Sequence, residues 1–454
     1  MKFPFKKQLT LTVACLVLSF SATAQESPAT KLLKERSAEF RKDVVKVTDG
    51  VYSAIGYRAS TINMIEGTDG IIIVDAGQTP AAAREALAEF RKLTAKPVKA
   101  IIFTHSHGDH TGGAISFLEG GNPEIWARAN FGSESNPFAA AGLTIQRQRG
   151  ARQAGANLPA DKKINNGVAP AVPDNERVTF EDGAVKPNRT FAEGRKRIVV
   201  AGVEIDLVAV NGETEDALYV WLPATKVLFS GDNFYKSWPN AYAIRGTPYR
   251  DIRSWADAND TMLKEGATFL VPGHTRPILG QAAVTAALTD YRDAIRFVFD
   301  QTIKGMNQGM TPDELVGYVK LPARLAEKDY LREYYGNVEW AVRAIFQGYL
   351  GWFDGNPSNL FPLPPKAEAE RMAKLAGGPA ALLALARDAL KQGDAQWAAQ
   401  LCDHLVALDP SAPEPKLLKA DALTALAEKL LTATGRNYYL TVAQELRAAA
   451  KARE

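Results

Sequence analysis

The chain has 454 residues, of which 46% are hydrophobic and 23% are charged, and its formal net charge at pH 7 is +3. This length exceeds that of a typical domain and predicts at least two domains with substantial cores. The charge is close to balanced and forms no basic stripe interleaved with aromatic residues, so no nucleic-acid partner is expected.

The first 24 residues have the pattern of a secretory signal peptide. Three lysines precede the apolar run 9–20, and a small-x-small cleavage site ends at Ala24. The run is too short to span a membrane comfortably, and no other segment is apolar enough. We therefore expect residues 1–24 to be removed and the mature protein to be periplasmic or secreted. Cys402 would then be the only cysteine, which leaves no internal disulfide.

Residues 25–103 are predicted to form a charged N-terminal segment followed by a sheet. Residues 25–45 are expected to form a solvated arm or a short helix. Short strand signals separated by glycine-containing turns follow between residues 51 and 75 and predict a meander. An amphipathic helix is predicted over 80–93, and an apolar, β-branched run predicts a buried strand over 98–103.

Four potential metal ligands stand within six residues directly after this buried strand. His105 and His107 are two apart, so on an extended segment they share a face and can bind one metal. Gly108 lets the backbone bend, and Asp109 and His110 then project toward a neighbouring position. A single tetrahedral zinc cannot easily take all four ligands from so short a loop, so two adjacent metals are the simpler interpretation. The alternative is a polar loop whose histidines cap the next helix.

The remaining candidate ligands follow later predicted strands. Glu213 is the first of these, with Glu215 as its competitor because a small loop shift would exchange them. Asp232 is placed to bridge two metals, and His274 again ends an apolar run. Asp75, also at the end of a strand, is either an outer carboxylate that orients the ligand loop or a turn-capping residue.

These ligands divide into two predicted metal sites. The first consists of His105, His107 and Glu213, the second of Asp109, His110 and His274, and Asp232 bridges them. Two zinc ions with a water between them would generate a nucleophile at neutral pH. Three carboxylates against two divalent cations leave a net charge of about +1, which suits an anionic substrate.

A further strand is predicted over 124–127, and the strands of a second sheet half over 197–200, 203–210, 219–223 and 226–230. The other segments are predicted to be mostly loop and helix. Residues 130–159 lean toward helix. Their arginines Arg147, Arg149 and Arg152 could form a solvated face or line a site for an anion, and most of them are expected to be solvated. Residues 162–188 are rich in Pro, Asn, Asp and Gly and are expected to form a long, lid-like excursion. From residue 290 onward the pattern is almost wholly helical, with amphipathic runs that resemble a tetratricopeptide-like array.

Three stretches carry a family resemblance. The H-x-H-x-D-H pattern after an apolar strand resembles the metallo-β-lactamase-fold hydrolases. Residues 240–246 resemble a segment of the alkyl sulfatases in which an arginine contacts the sulfate group, and Arg245 matches that position. Residues 347–357 and 363–365 resemble the signature of the alkyl sulfatase dimerisation domain.

This resemblance implies an α/β fold, a metallo-β-lactamase αββα sandwich over 25–289, followed by an all-α dimerisation domain over 290–454. It also implies a dinuclear Zn²⁺ hydrolase that cleaves small anionic alkyl sulfate esters and forms homodimers. Catalytic roles are assigned to Asp109 and Arg245, and Arg245 also binds substrate. The alternatives are action on another ester, lactone, β-lactam or phosphoester, or a non-catalytic helical assembly protein with a decayed site.

The chain departs from the alkyl sulfatases at three points. Asp232 stands where that family uses a glutamate as the bridging ligand. Near Gln153 there is no clear counterpart of the tyrosine that contacts sulfate in the family. The sequence also ends without the sterol-carrier-like domain that often follows. Aspartate is also a competent metal ligand, so these differences leave the substrate open while the prediction of a metal site stands.

Overall fold

The computed structural model describes residues 26–134, 136–173 and 183–452. The predicted signal peptide lies outside these residues, as does the middle of the predicted lid-like excursion. Within the described residues, no helix combines the length and the apolar character needed to cross a membrane.

Two sheets form the centre of the N-terminal half. The first contains, side by side in chain order, β1 (Asp43–Thr48), β2 (Val51–Ile55), β3 (Ile62–Glu66), β4 (Ile71–Val74), β5 (Val98–Ile102), β6 (Glu124–Arg128) and β7 (Arg189–Phe191). The second contains, again side by side, β8 (Arg195–Val200), β9 (Val203–Ala209), β10 (Leu218–Leu222), β11 (Val227–Gly231), β12 (Phe269–Pro272) and β13 (Ile278–Leu279). Pairing is parallel from β4 to β7 and between β11 and β12, and antiparallel elsewhere.

Helices cover the sheets and form the C-terminal half. They are α1 (Pro28–Arg36), α2 (Pro80–Arg91), α3 (Gly108–Thr111), α4 (Asn136–Ala140), α5 (Ile145–Ala154), α6 (Ile252–Leu263), α7 (Gln281–Met306), α8 (Pro312–Tyr318), α9 (Ala323–Ala326), α10 (Val338–Leu350), α11 (Pro365–Ala376), α12 (Pro379–Lys391), α13 (Ala395–Leu408), α14 (Pro413–Lys429) and α15 (Ala433–Lys451).

The sheets and helices stack in four layers. Ile72 and Ile102 of the first sheet meet Leu207 and Phe229 of the second in one buried core. The opposite face of the first sheet is covered by α2, which buries an apolar stripe that includes Phe90. The opposite face of the second sheet is covered by α6 and α7. The predicted αββα sandwich, followed by a helical C-terminal region, is therefore confirmed.

The N-terminal lead-in differs from the prediction of a solvated arm. Residues 28–36 form α1, the short helix that was the alternative, but Leu33 is fully buried and Arg36 is 4% exposed. The strand β1 was not predicted, because it lies at the sheet edge, where only Val47 is fully enclosed and the apolar alternation is weak.

The first long helix of the helical half, α7, packs directly against the sandwich. α7 runs through residues 289 and 290, where the sequence placed a domain boundary, and Tyr291, Ile295 and Val298 join the core beneath the second sheet. α10 adds Ile345 to the same core. From α11 onward the helices pack on their neighbours around small alanine- and leucine-rich cores of their own.

Candidate metal centre and anion-binding arginine

The loops that carry the candidate ligands meet at one end of the two sheets. The loop after β5 is tied to the second sheet where the Leu218 N–H donates to the Thr104 carbonyl at 2.8 Å. The loop after β12 is tied to the first sheet where the Thr61 N–H donates to the Gly273 carbonyl at 2.7 Å. These bonds bring ligands that are far apart in sequence to a common site.

A first cluster contains His105, His107 and Glu213. His105 Nε2 lies 2.9 Å from His107 Nδ1. Glu213 Oε2 lies 3.4 Å from His107 Nδ1 and 3.9 Å from His105 Nε2. The three atoms therefore point at one another across a space that a single cation can fill.

A second cluster contains Asp109, His110 and His274. Asp109 Oδ2 lies 3.5 Å from His274 Nε2 and 3.8 Å from His110 Nε2. The carboxylate of Asp232 lies between the two clusters. Its Oδ2 is 2.9 Å from His274 Nε2 and 3.9 Å from His105 Nε2, and its Oδ1 is 3.3 Å from His110 Nε2. All seven predicted ligands are thus brought together, with Asp232 between the two clusters.

Several donor atoms of the two clusters have no hydrogen-bond partner in the protein, which suits them to bind metal ions. Among the described residues, His110 Nε2, Glu213 Oε2 and Asp232 Oδ1 are buried side-chain atoms without a hydrogen-bond partner. A buried polar atom without a partner is costly, and three of them facing one space indicate cations that would satisfy them. Imidazole nitrogens with carboxylate oxygens are a donor set that zinc accepts.

The other ring nitrogens of these histidines are held by the protein. His110 Nδ1 lies 2.8 Å from Asp75 Oδ2, and the same carboxylate accepts from the Thr104 N–H and hydroxyl at 2.8 and 2.9 Å. Asp75 does this from a left-handed backbone conformation, with φ of 57°, which is uncommon for a non-glycine residue. His274 Nδ1 donates to the Ala59 carbonyl at 2.8 Å. Asp75 therefore orients the ligand loop, as one of its two interpretations predicted.

The glycine before His274 is required by the bridging carboxylate. A Cβ atom at Gly273 would lie 2.1 Å from Asp232 Oδ1 and 2.9 Å from the backbone of Gly231. Any side chain at this position would displace Asp232 from the space between the clusters.

The structure separates the two competing glutamates. Glu213 is 3% exposed and points into the first cluster, whereas Glu215 is exposed. The loop is fixed by Arg128 of β6, whose Nη1 donates to the carbonyls of Val210 and Glu215. This anchoring turns the Glu213 side chain inward.

Glu134 and Arg250 belong to the site but were not predicted from the sequence. Glu134 Oε1 lies 3.2 Å from His107 Nε2 and accepts from Arg250 Nη2 at 3.3 Å. Arg250 Nη1 donates to Glu213 Oε1 at 2.6 Å, which leaves Oε2 free to face the first cluster. Both residues lie in polar stretches without periodicity, so no signal in the sequence pointed to either of them.

Arg245 lies beside this network at the edge of the site. Its Nη2 is 3.6 Å from Glu134 Oε1, and its side chain is 26% exposed. Arg245 is thus linked to the first cluster through Glu134, which contacts His107. Its guanidinium is partly exposed to solvent.

Charge coupling within the site shifts several pKa values. Burial opposes protonation of His107, but the carboxylates of Glu134 and Glu213 outweigh it and raise its pKa to about 9. Burial disfavours the charged form of Glu134, yet Arg250 and His107 hold its pKa well below its usual range. Burial and the neighbouring histidines lower the pKa of His105. Glu134 is therefore held in its charged form beside His107.

Comparison with known proteins agrees with this geometry. Residues 55–274 match the metallo-beta-lactamase superfamily, and residues 311–449 match the family described as alkyl sulfatase dimerisation. A linear primary-alkylsulfatase of Pseudomonas sp. is 37% identical over 84% of this chain and 73% of its own length. The chain belongs to the alkylsulfatase family. This confirms the resemblance noted from the H-x-H-x-D-H pattern and the two later stretches.

Two further relatives of the alkylsulfatase family extend the comparison. An (R)-specific secondary-alkylsulfatase of Pseudomonas sp. is 33% identical over 88% of this chain and 62% of its own length. The solved structure of the stereoselective inverting sec-alkylsulfatase Pisa1 from Pseudomonas sp. has a TM-score of 0.84 at 32% identity. That match covers 90% of this chain and 66% of the solved one, so the chain spans about two thirds of these two relatives.

Proposed function

We propose that this protein is an exported, dinuclear zinc-dependent alkylsulfatase that hydrolyses alkyl sulfate esters to an alcohol and sulfate. The observation that carries the proposal is the convergence of seven candidate ligands from four loops, with Arg245 at the edge of the same site. The names of the relatives support the substrate class.

In this proposal, the metal ligands and Arg245 have separate roles. His105, His107, Glu213, Asp109, His110 and His274 would hold two cations, with Asp232 between them. Two bound zinc ions supply Lewis acidity and lower the pKa of a water molecule. Arg245 would receive the sulfate group, since a guanidinium fork matches a tetrahedral oxyanion.

Asp109 has a second role in this proposal. Its side chain is 27% exposed, whereas those of His110, His274 and Asp232 are 0 to 6% exposed. The open side of the second cluster is therefore lined by a carboxylate that accepts a hydrogen bond from the attacking water and orients it.

Homodimerisation through the helical half is part of the proposal. It is supported by the match of residues 311–449 to the alkyl sulfatase dimerisation family. It is also supported by large apolar side chains at the surface of this region, among them Trp352 at 71% and Phe361 at 93% exposure. Export is supported by the signal-peptide pattern of residues 1–24.

The test is release of inorganic sulfate from a series of alkyl sulfates by the purified, zinc-loaded protein, with the metal-free protein as control. We expect release that depends on zinc and on the alkyl chain. If the zinc-loaded protein releases no sulfate but opens nitrocefin or a phosphodiester reporter, the fold and metals stand while the substrate class is wrong.

A further inference from the structure

The helix α5 contacts Arg245 at several points along one face. The Arg245 N–H donates to Gln153 Oε1 at 3.1 Å, and Gln146 Nε2 donates to the Gly246 carbonyl at 2.8 Å. Gln146 and Gln153 are seven residues apart, two turns of helix, so they lie on the same face. Between them is Gly150, where an added Cβ would lie 4.0 Å from Arg245 Cδ. α5 therefore holds the backbone before Arg245 and after Gly246, and it leaves room for the arginine side chain beside it.

A neighbouring face of α5 is anchored to the C-terminal helix. Arg152 Nε and Nη2 donate to the two carboxylate oxygens of Glu445 at 3.0 and 2.7 Å. The same guanidinium lies over the Tyr438 ring, 5.7 Å from its centroid. Two parallel donor bonds from one guanidinium fix orientation as well as distance. Arg152 is therefore only 22% exposed and is not among the arginines of this segment that are solvated.

The end of α5 is also enclosed by α15. Asn437 is 3% exposed and its Nδ2 lies 3.4 Å from the Gln153 carbonyl. Gly155 ends α5 in the left-handed conformation, with φ of 65°, and an added Cβ there would lie 3.0 Å from Asn437 Cγ. The carbonyl of Gln153 thus faces α15, while its side-chain oxygen holds Arg245.

We propose that α5 is the connection through which the C-terminal helical region sets the position of Arg245, with Gln153 as the positioning residue. The proposal rests on the proposed function in so far as Arg245 is the sulfate-binding group. Without α15, α5 would lose the contacts of Arg152 and Gln153 that fix its position. Gln153 and Gln146 would then no longer hold the Arg245 N–H and the Gly246 carbonyl in place. The helical region therefore has a role in substrate binding in addition to assembly.

The test compares variants of Gln153 in the full-length, zinc-loaded protein, with dodecyl sulfate as substrate and inorganic sulfate as competing ligand. Gln153→Met keeps the side-chain volume and removes the acceptor. We expect it to raise KM and the inhibition constant for sulfate about fivefold, which corresponds to the loss of one ordinary hydrogen bond, with a smaller change in kcat. Gln153→Glu restores an acceptor and is expected to recover most of the affinity.

A double-mutant cycle separates positioning from general damage. In an Arg245→Ala background, Gln153→Met is expected to have no further effect on KM, because the group that it positions is gone. Glu445→Gln is expected to act in the same direction by about twofold. Asp421→Asn is the matched control, because Asp421 of α14 makes an exposed pair at 2.9 Å with Arg447 of α15, the helix that carries Glu445. Unchanged KM in Gln153→Met, or equal losses in both backgrounds, would overturn the proposal.

Hydrogen exchange of the Arg245 amide gives a readout that does not need activity. Exchange is expected to rise in Gln153→Met and Glu445→Gln and to stay at the wild-type rate in Asp421→Asn. If the wild type releases no sulfate but this pattern holds, the proposed substrate fails and the α5 connection stands. If sulfate is released but the amide exchanges equally in all four proteins, the α5 connection fails alone.

Discussion

At the scale of single residues, the site depends on groups that hold the ligands rather than on the ligands alone. Asp75 fixes His110, the Ala59 carbonyl fixes His274, and Glu134 fixes His107 through the ring nitrogen that faces away from the first cluster. Such outer partners set the orientation of an imidazole and raise its affinity for a cation.

Removal of the charge on Glu134 is expected to weaken the first metal site. We predict that Glu134→Gln lowers zinc affinity, measured by competition with a chelating dye, by about 10- to 100-fold, and kcat/KM in proportion. Glu119→Gln is the control, because Glu119 pairs with Arg91 on the surface away from the site. Equal zinc affinity in Glu134→Gln and wild type would show that the contact with His107 has no such role.

Arg245 gives a second test at this scale. We predict that Arg245→Ala lowers kcat/KM for an alkyl sulfate by about 10- to 100-fold, because the sulfate group loses its hydrogen bonds to a charged guanidinium. Arg245→Lys is expected to recover only part of this loss, because it keeps the charge without the planar fork. A full recovery by lysine would mean that charge alone is needed.

The predicted ligands could be found from sequence because each stands at the end of an apolar strand, often beside a glycine. Glu134 and Arg250 could not, because their partners are set by the way two polar loops meet in space. The choice between Glu213 and Glu215 needed the position of Arg128, which lies on another sheet.

At the scale of elements, a cross-strand charge cluster joins β8 to β9. Asp206 lies directly opposite Arg197, and its carboxylate accepts from Arg197 Nε at 2.7 Å and from Arg195 Nη1 at 2.7 Å. The hydrogen bonds from Arg197 lower the pKa of Asp206, although burial acts against this. Asp206 itself is 1% exposed, so its charge depends on both arginines.

The lowered pKa of Asp206 predicts a pH-dependent contribution to stability. Because the folded-state pKa lies below the unfolded one, the stabilisation is complete above the unfolded pKa, near 4. It is lost as the pH falls through the lower folded-state value. We predict that Asp206→Asn lowers the free energy of unfolding by about 1.5–3 kcal/mol at pH 7, and that its difference from the wild type shrinks toward pH 2.

The measurement is urea unfolding followed by circular dichroism at several pH values. Glu204→Gln is the matched control, because Glu204 pairs with the same Arg197 from a 48% exposed position. It is expected to change stability by less than about 1 kcal/mol. A pH-independent deficit in Asp206→Asn would contradict the assignment to its charge.

The sequence predicted the strands whose apolar patterns are strong and missed β1, whose edge position leaves few enclosed side chains. The domain boundary predicted between residues 289 and 290 lies inside α7. A helical pattern shows that a face is buried but not against which element, so the packing of α7 on the sandwich was not accessible from sequence.

At the scale of the whole molecule, the helical half presents a large apolar surface. Trp352, Phe361 and Leu363 are 71%, 93% and 47% exposed in the segment between α10 and α11. Exposed apolar clusters of this kind mark protein interfaces, and the matched dimerisation family supports a second copy as the partner.

We predict that the wild type sediments as a dimer and that Trp352→Asp combined with Phe361→Asp sediments as a monomer. Val199→Asp is the control, because Val199 is 68% exposed on β8, outside the helical half. It is expected to leave the dimer intact. A wild-type monomer at micromolar concentration would contradict the proposed assembly.

We propose that Asp232 and the six ligands around it form two adjacent zinc sites. The most direct measurement is the zinc content per chain after reconstitution and removal of free metal, in the wild type and in Asp232→Ala. We predict two zinc ions per chain in the wild type and about one or fewer in the variant. A wild type that retains no more than one zinc ion, or a variant that retains two, would contradict the account.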